Sequence, residues 1–387
     1  MLDAGPMSRR YGDFFLLAVL VLLALGMVML ASTSAFGALA KSDDPYFDVR
    51  RQFFWLSSGL AVMVGTSLLH YRWLSEAVWG LYILSLMLLI ACFLPGVGME
   101  INGERRWIQF MGKSFQPSEF AKIAVVIVIA YWFALGPGKR KGPIRGFFLP
   151  ALCAGVPLAL IAGEVDLGTT FVLGVTLFLL FYIAGAAKVW LGLGLVAGIA
   201  GMATLVWMVP GRWERVLALF QPEAYAEGVA WQQQVAQLAL GSGGLEGVGL
   251  GAGRMKMHYL PFAHTDFIFP MVGEELGLVA SVGVVLCFAM FVLMGMAISM
   301  RATSEFGRLL GSGLVLVVGI QAILNMAVTT GLFPNTGLPL PFVSYGGSNL
   351  ICSLFAVGVV LSIHRQTRIQ QGLGEVPGKQ EPVTAGL

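Results

Sequence analysis

Long apolar stretches alternate with short polar segments along most of the chain. A helix needs about 20 mostly apolar residues to cross the hydrocarbon core of a bilayer. Windows near that length cover residues 14–34, 53–70, 77–94, 118–135, 147–163, 168–186, 189–209, 269–299, 308–331 and 347–364. The pattern therefore predicts an all-α, polytopic membrane protein with ten transmembrane helices and both termini on one side of the membrane.

The longest polar interruption, at about residues 210–266, separates the seventh window from the eighth. It is too long for a plain turn, and its segment 225–244 predicts a short amphipathic helix ended by glycines. The repeated glycines that follow predict backbone that turns tightly or lies close to a ligand. We expect one transmembrane domain over residues 1–366 and a disordered tail at 367–387.

Composition supports a membrane location. Hydrophobic residues make up 57% of the 387 residues and charged residues 12%, which leaves too little polar surface to cover a soluble globule. The cysteines all lie inside apolar windows, which argues against a disulfide framework or a metal site: Cys92, Cys153, Cys287 and Cys352.

Lysine and arginine concentrate on one side of the membrane, as they do in the cytoplasmic loops of multi-pass proteins. These residues are Arg9, Arg10, Arg301, Arg308, Arg365, Arg368 and those of the segment GKRKGPIRG at 138–146. Most acidic residues fall on the other side. The asymmetry predicts two cytoplasmic termini and an extracytoplasmic loop at 210–266. The first window is longer than a signal-peptide core, so we expect it to be a retained anchor.

Four polar clusters fall on the predicted outer side. They are INGERRWIQF at 101–110 with QPSEFAK at 116–122; EVDLGTT at 164–170; a loop with Arg254, Lys256, His264 and Asp266 that continues to Glu274 and Glu275; and FPNTGLPLPFVSYGGSN at 333–349. The last cluster carries no charge and several prolines, so we expect it to dip back into protein-lined space. Together the clusters favour a substrate cavity at the outer face.

Each cluster also has a structural interpretation. Glu119 and Lys122, one helical turn apart, fit either an interhelical ion pair or a site. Asp166 fits a helix cap, because a carboxylate at a helix start is stabilised by the helix dipole. His264 fits a hydrogen-bonded loop residue, and Arg106 fits an anchor at the membrane interface.

The motifs NGERRWI, QPSEFAK, DLGTT, LGSGG, YLPFAHTDFIF, GEELG and GLFPNTGLPLPFVSYGGS occur in this order within residues 14–366. The combination resembles the SEDS family, the shape, elongation, division and sporulation proteins that include FtsW and RodA. The run GVGMEINGERRWI is more similar to the FtsW branch than to the RodA branch. The resemblance implies a ten-span peptidoglycan glycosyltransferase of the bacterial cytoplasmic membrane. Such an enzyme polymerises the disaccharide of lipid II on the outer face, for cell division or cell elongation.

The resemblance also implies roles for single residues, with the family's essential acid falling on Asp266. With the candidates from the polar clusters, the predicted substrate-binding residues are Arg106, Glu119, Lys122, Asp166, Lys256, His264, Ser344, Tyr345 and Ser348. Two places depart from the family pattern. Phe262 stands where relatives commonly have glutamate, and Val235 and Ala236 replace a glutamine-serine pair, which leaves Gln232 as the aligned glutamine.

The chemistry is consistent with a single carboxylate base. A sugar linked through an α-pyrophosphate already has a good leaving group, so the demanding step is deprotonation of the acceptor hydroxyl. Asp266 would serve if a cavity kept it accessible while partial desolvation raised its basicity. Arg106, Lys122 and Lys256 are candidate pyrophosphate ligands. The requirement for a divalent cation, Mg²⁺ or Mn²⁺, bridging Asp266 and pyrophosphate is left open.

Two functions other than glycan polymerisation are compatible with these features: a flippase that acts on the same lipid, and a scaffold protein. A lipid II flippase also suits ten spans and a broken-helix loop, but a transport path needs polar residues through the inner halves of the spans, which are almost free of charge. A scaffold that recruits division proteins would not require Asp266. The resemblance implies a class B penicillin-binding protein and divisome or elongasome membrane proteins as partners, and no nucleic acid.

Overall fold

The computed structural model describes residues 7–42, 44–101, 104–110, 113–136, 142–257, 260 and 263–372. In chain order the elements are α1 (Met7–Ser42), α2 (Phe47–Leu68), α3 (Trp73–Glu76), α4 (Val78–Phe93), β1 (Gly98–Ile101), β2 (Glu104–Phe110), β3 (Lys113–Phe115), α5 (Pro117–Ala134), α6 (Leu149–Gly163), α7 (Leu167–Ile183), α8 (Lys188–Met208), α9 (Pro210–Phe220), α10 (Trp231–Ser242), α11 (Ile268–Met300), α12 (Glu305–Thr329) and α13 (Gly347–Gly372). A π-helical turn, Ile144–Phe148, precedes α6, and a short 3-10 helix, Pro222–Tyr225, follows α9.

Each predicted window falls on a helix, because length and apolarity together favour the element that satisfies its own backbone hydrogen bonds in lipid. Within the described ranges, seven helices are long and apolar enough to cross a bilayer: α1, α5, α6 with its preceding turn, α8, α11, α12 and α13. The apolar helices α4 and α7 are shorter, and α2 carries Asp48, Arg50 and Arg51 near its start. The total of ten spans stays a prediction.

The all-α prediction is wrong for residues 98–101, 104–110 and 113–115. These residues form a three-stranded antiparallel sheet in the order β1-β2-β3, on the outer side predicted from the charges. Tyrosine, tryptophan, phenylalanine and β-branched residues favour strands, and β2 contains Trp107, Ile108 and Phe110. The sheet places Arg106 beside the start of α7.

The bundle has a buried centre and a lipid-facing edge. The apolar windows of α5 and α12 are each 78% buried, whereas that of α8 is 6% buried. The described part of α8 packs mainly on α7 and α9. The last helix, α13, extends past the predicted boundary at residue 366 to Gly372; the predicted tail beyond it, residues 373–387, lies outside the described residues.

The loop between α8 and α11 is largely ordered. It contains α9 and α10, and α10 matches the predicted amphipathic helix that ends at glycines. Its glycine-rich part pairs with α11: Leu278 donates to the carbonyl of Gly244 at 2.9 Å, and Val248 donates to the carbonyl of Glu274 at 2.9 Å. Gly277 interrupts α11 with φ 77, and a Cβ there would lie 2.3 Å from the carbonyl oxygen of Leu245. The predicted close approach is therefore to another backbone segment.

Candidate functional site

Asp266 lies in the turn that leads into α11 and is half-buried. Its carbonyl accepts a hydrogen bond from Asn325 Nδ2 on α12 at 2.8 Å. The same amide donates to the carbonyl of Leu338 at 2.7 Å, which joins the turn to the loop before α13. A Cβ on Gly337 would lie 3.5 Å from Asp266 Oδ2, so the backbone of that loop runs beside the carboxylate.

The charge environment of Asp266 adjusts its basicity. Burial raises the pKa of Asp266 to about 6, because desolvation disfavours the ionised form. The positive charges of Arg106 and Arg215 oppose this rise, and the negative charge of Asp166 adds to it. The carboxyl therefore ionises close to neutral pH, which suits a general base.

Arg106 and Asp166 meet beside this carboxylate. Arg106 Nη2 donates to the carbonyl of Val165 at 2.5 Å, and Arg106 Nη1 lies 3.8 Å from Asp166 Oδ1. Asp166 caps α7 by accepting a hydrogen bond from the Thr169 amide at 3.0 Å, as its position in the sequence predicts. Gln116 Nε2 donates to its other oxygen at 3.2 Å. Asp166 thus combines the capping role with a position in the charged cluster.

Glu164 adds a third carboxyl to this cluster, after Asp266 and Asp166. It lies just after α6 and is 2% exposed. Burial, with the neighbouring Asp166 charge, raises the pKa of Glu164 to about 8, although Cys92 and Arg106 oppose the rise. Glu164 is therefore mostly protonated at neutral pH and contributes little negative charge.

Two arginines of α9 also contact the backbone around the site. Neither is among the residues predicted from the sequence. Arg212 Nη2 donates to the carbonyl of Val165 at 3.2 Å, and Arg215 Nη1 donates to the carbonyl of Asn335 at 3.2 Å. The signal was present in the sequence: in GRWERV the two arginines are three residues apart, which places them on one face of a helix.

The loop of residues 333–349 lies against the backbone that precedes Asp266. Ser344 Oγ donates to the carbonyl of Thr265 at 2.5 Å, and the Tyr345 amide donates to the carbonyl of His264 at 3.0 Å. The rings of His264 and Tyr345 lie 5.8 Å apart. These contacts place three predicted site residues around the backbone that precedes Asp266.

Two further contacts hold this loop in place, one at Ser348 and one from Gln232 on α10. Ser348 Oγ accepts a hydrogen bond from the Gln116 amide at 3.2 Å. Gln232 Oε1 accepts one from Asn335 Nδ2 at 2.8 Å, so the glutamine that aligns with the family lies against the cavity wall. The substituted positions Val235 and Ala236 are buried on α10, and Phe262 lies outside the described residues.

Glu119 and Lys122 lie inside the bundle, not at the open site. Lys122 Nζ donates to Glu119 Oε1 at 3.0 Å and to Gln321 Oε1 on α12 at 2.5 Å. Asn349 Nδ2 on α13 donates to Glu119 Oε2 at 3.0 Å. Both charged residues are 2% exposed. The contacts favour the interhelical interpretation of this pair, and the substrate-binding role stays a prediction.

Lys256 is held by a carboxylate in a similar way. Its Nζ donates to Glu275 Oε1 at 2.6 Å and to Ser32 Oγ on α1 at 2.8 Å, and its side chain is 5% exposed. Glu274 Oε1 accepts a hydrogen bond from the Arg254 amide at 2.6 Å. The carboxylates of Glu274 and Glu275 thus fasten the glycine-rich loop to the start of α11.

The site therefore brings together Asp266, Asp166, Arg106, His264, Ser344 and Tyr345 and sets Lys122, Glu119 and Lys256 in buried ion pairs. Among the described residues, no group of three or more His, Cys, Asp or Glu side chains is placed to hold a metal ion.

Comparison with known proteins gives consistent matches over most of the chain. The family model for FtsW, RodA and SpoVE, described as "Cell cycle protein", matches residues 13–369. A probable peptidoglycan glycosyltransferase FtsW of Geobacter metallireducens is 38% identical over 355 residues, which cover 92% of this chain and 95% of that protein. The stage V sporulation protein E of Bacillus subtilis is 36% identical, with 90% and 95% covered.

Solved structures share the fold. A chain from a peptidoglycan synthase complex, studied for its coordination of polymerization and crosslinking, superposes with a TM-score of 0.75 at 31% identity and covers 91% of this chain and 97% of its own. The rod shape determining protein RodA of Thermus thermophilus superposes with a TM-score of 0.67 at 28% identity, with 91% and 96% covered.

Proposed function

Because the chain belongs to the SEDS family of FtsW, RodA and SpoVE and is a peptidoglycan glycosyltransferase of the bacterial inner membrane, we propose that it polymerises lipid II into glycan strands and releases undecaprenyl pyrophosphate. The observation that carries this proposal is the half-buried Asp266 carboxyl, whose raised pKa lies close to neutrality and which lies near arginine side chains. These are the groups needed to deprotonate an acceptor hydroxyl and to hold a pyrophosphate leaving group.

The reaction follows from these groups. Asp266 takes the proton of the acceptor sugar hydroxyl as its oxygen forms a bond to the anomeric carbon of the donor. The bond from that carbon to the pyrophosphate oxygen breaks, and the electron pair leaves with the pyrophosphate. Displacement with inversion converts an α-linked donor into a β-linked product, so one carboxylate suffices where glycoside hydrolysis needs two. Arginine binds the departing phosphates in forked geometry.

Asp266 is the described residue that would hold a divalent cation during the reaction. Mg²⁺ is commonly held by one or two carboxylates together with substrate phosphates and water. Asp266 fits as the protein ligand, whereas both oxygens of Asp166 already accept hydrogen bonds from Thr169 and Gln116. When bound, Mg²⁺ or Mn²⁺ would neutralise charge on the pyrophosphate.

Chelation tests the cation. We expect a strong chelator to lower the rate of glycan synthesis by the purified protein, and added Mg²⁺ or Mn²⁺ to restore it. The rate is measured as polymer formed from lipid II, with excess Ca²⁺-saturated chelator as the control for effects of the chelator itself. An unchanged rate in chelator would contradict the requirement.

The polyprenyl chain of the substrate needs an apolar groove. A cavity of about 230 Å³ lies among α2, α3, α4, α5 and α13. Its lining is apolar and includes Val62, Trp73, Leu81, Phe120, Ile127 and Phe355. Such a surface accepts isoprenoid units without desolvating polar groups.

We place the active site on the extracytoplasmic face, with both termini in the cytoplasm, on the strength of the lysine and arginine distribution. A class B penicillin-binding protein is the proposed partner in the divisome or elongasome. Support comes from the synthase complex of similar fold, in which polymerization and crosslinking are coordinated.

The pH profile gives a test of the base. A carboxylate with a raised pKa is protonated, and unable to accept a proton, below that pKa. We therefore expect kcat/KM for lipid II to rise as the pH increases through about 6 and then to level off. The residual rate of the Asp266→Asn variant should lack this rise. A wild-type profile that is flat between about pH 5 and pH 7 would contradict the assignment.

The function itself is tested with purified protein and lipid II, with and without a class B penicillin-binding protein. We expect glycan strands with the partner present. Transport of intact lipid II across proteoliposomes without polymer, under the same conditions, would favour the flippase instead.

A further inference from the structure

Three arginine side chains from two separate elements contact the backbone around the Asp266 site. Arg106 comes from β2, and Arg212 and Arg215 come from α9. Arg106 and Arg212 donate to one acceptor, the carbonyl oxygen of Val165, at 2.5 and 3.2 Å. Like charges repel at this range, so the fold holds them together at a cost in stability. Asp166, whose Oδ1 lies 3.8 Å from Arg106 Nη1, offsets part of this positive charge, and guanidinium groups gathered in this way favour the binding of an anion beside them.

The acceptor carbonyl is itself held in an unusual conformation. Val165 has φ 62, in the left-handed region that β-branched residues rarely adopt. Conformations of this kind are strained and concentrate at functional sites. The α6–α7 turn is thus bent so that one carbonyl orients two arginines, while the next residue, Asp166, caps α7.

Arg215 extends the cluster towards the wall of the cavity. It is half-buried, and its Nη1 donates to the carbonyl of Asn335 at 3.2 Å. Asn335 is held in turn by Gln232, and the backbone two residues further on, at Gly337, runs beside Asp266. Because Arg215 is only half-buried, part of its side-chain surface is accessible to a ligand.

The two lysines that the sequence predicts as pyrophosphate ligands are placed differently from the arginines. Lys122 and Lys256 each donate to a buried carboxylate, Glu119 at 3.0 Å and Glu275 at 2.6 Å. Their side chains are 2% and 5% exposed. A pyrophosphate would have to displace these carboxylates to reach either ammonium group.

We propose that Arg106, Arg212 and Arg215 form the binding site for the pyrophosphate of the lipid-linked donor, with Arg215 contacting it directly and the Val165 carbonyl setting the spacing of the other two. This inference rests on the proposed function, because it assigns the donor of that reaction. The planar guanidinium forks match phosphate oxygens in pairs, which a lysine ammonium does not.

Direct binding tests the site. Purified protein in nanodiscs is titrated with undecaprenyl pyrophosphate and, separately, with uncharged undecaprenol. We expect Arg215→Gln and Arg212→Gln to weaken binding of the pyrophosphate by about tenfold or more, since each removes charged hydrogen bonds, and to leave undecaprenol binding unchanged. Arg145→Gln, the same change at an exposed arginine before α6, is the matched control. Unchanged pyrophosphate affinity in both α9 variants would overturn the proposal.

Kinetics separate this inference from the proposed function. Arg215→Gln should raise the KM for lipid II more than it lowers kcat, and Arg215→Lys, which keeps the charge and gives a folded comparison, should recover part of the affinity. If the wild type polymerises lipid II while Arg215→Gln and Arg215→Lys both bind pyrophosphate as the wild type does, the arginine site is wrong and the function stands. If the wild type binds pyrophosphate through these arginines but makes no polymer, the function is wrong and the site stands.

Discussion

Replacing Asp266 with asparagine is expected to lower the rate of glycan polymerisation by about 10²–10⁴-fold while the protein still inserts into the membrane and folds. The amide is nearly the same size and keeps the backbone contacts of the turn, including the hydrogen bond from Asn325, but it cannot accept a proton. Loss of a general base commonly lowers a rate by about 10²–10⁴-fold. The measurement is polymer length and yield from purified lipid II, with the class B partner present.

The controls separate chemistry from folding. Glu223→Gln makes the same carboxylate-to-amide change at an exposed position in the loop after α9 and should keep the wild-type rate. Asp266→Asn should melt near the wild-type temperature and should bind undecaprenyl pyrophosphate. Polymerisation by Asp266→Asn at the wild-type rate would remove this residue as the base.

Single replacement of Lys122 by methionine is expected to destabilise the fold strongly. It would leave Glu119, which is 2% exposed, without its cation among α5, α12 and α13. Breaking one partner from a buried ion pair costs about 3–5 kcal/mol. The expected readout is a large fall in the melting temperature in detergent and reduced membrane yield.

A double variant distinguishes the two interpretations of this pair. Replacing Glu119 with leucine and Lys122 with methionine removes both buried charges, so stability should recover in part, although Gln321 and Asn349 each lose a hydrogen-bond partner. If the pair is structural, the folded double variant polymerises lipid II. A double variant that is stable but inactive would instead support the substrate-binding role implied by the family resemblance.

The helices were predictable, and much of the site was not. Hydrophobic length is a strong signal in a chain that must satisfy its backbone within lipid, so each apolar window marks a helix. The three strands, at 98–101, 104–110 and 113–115, are short and mix charged and apolar residues, which gives little periodicity. The motif around Asp266 indicated this residue as the candidate acid, and the capping preferences of carboxylates predicted Asp166 at the start of α7.

Whether a lysine or arginine can bind the substrate pyrophosphate depends on its contacts in the tertiary structure. Lys122 meets Gln321, and Lys256 meets Ser32, across long separations in the chain. Spacing along one helix predicts its faces but not what another helix presents to them. Arg212 and Arg215 lie in the predicted loop after a long apolar window, where their spacing gives no sign of the backbone carbonyls that they contact in the folded protein.

The exposure of α8 couples the arginine cluster to the lipid. This helix is 6% buried, and α9, with Arg212 and Arg215, begins directly after it at Pro210. A helix surrounded mainly by acyl chains adjusts its tilt to the thickness of the bilayer. Thinner or thicker membranes would therefore shift these two guanidinium groups relative to the Val165 carbonyl, and catalytic efficiency should vary with acyl-chain length even where every residue is unchanged.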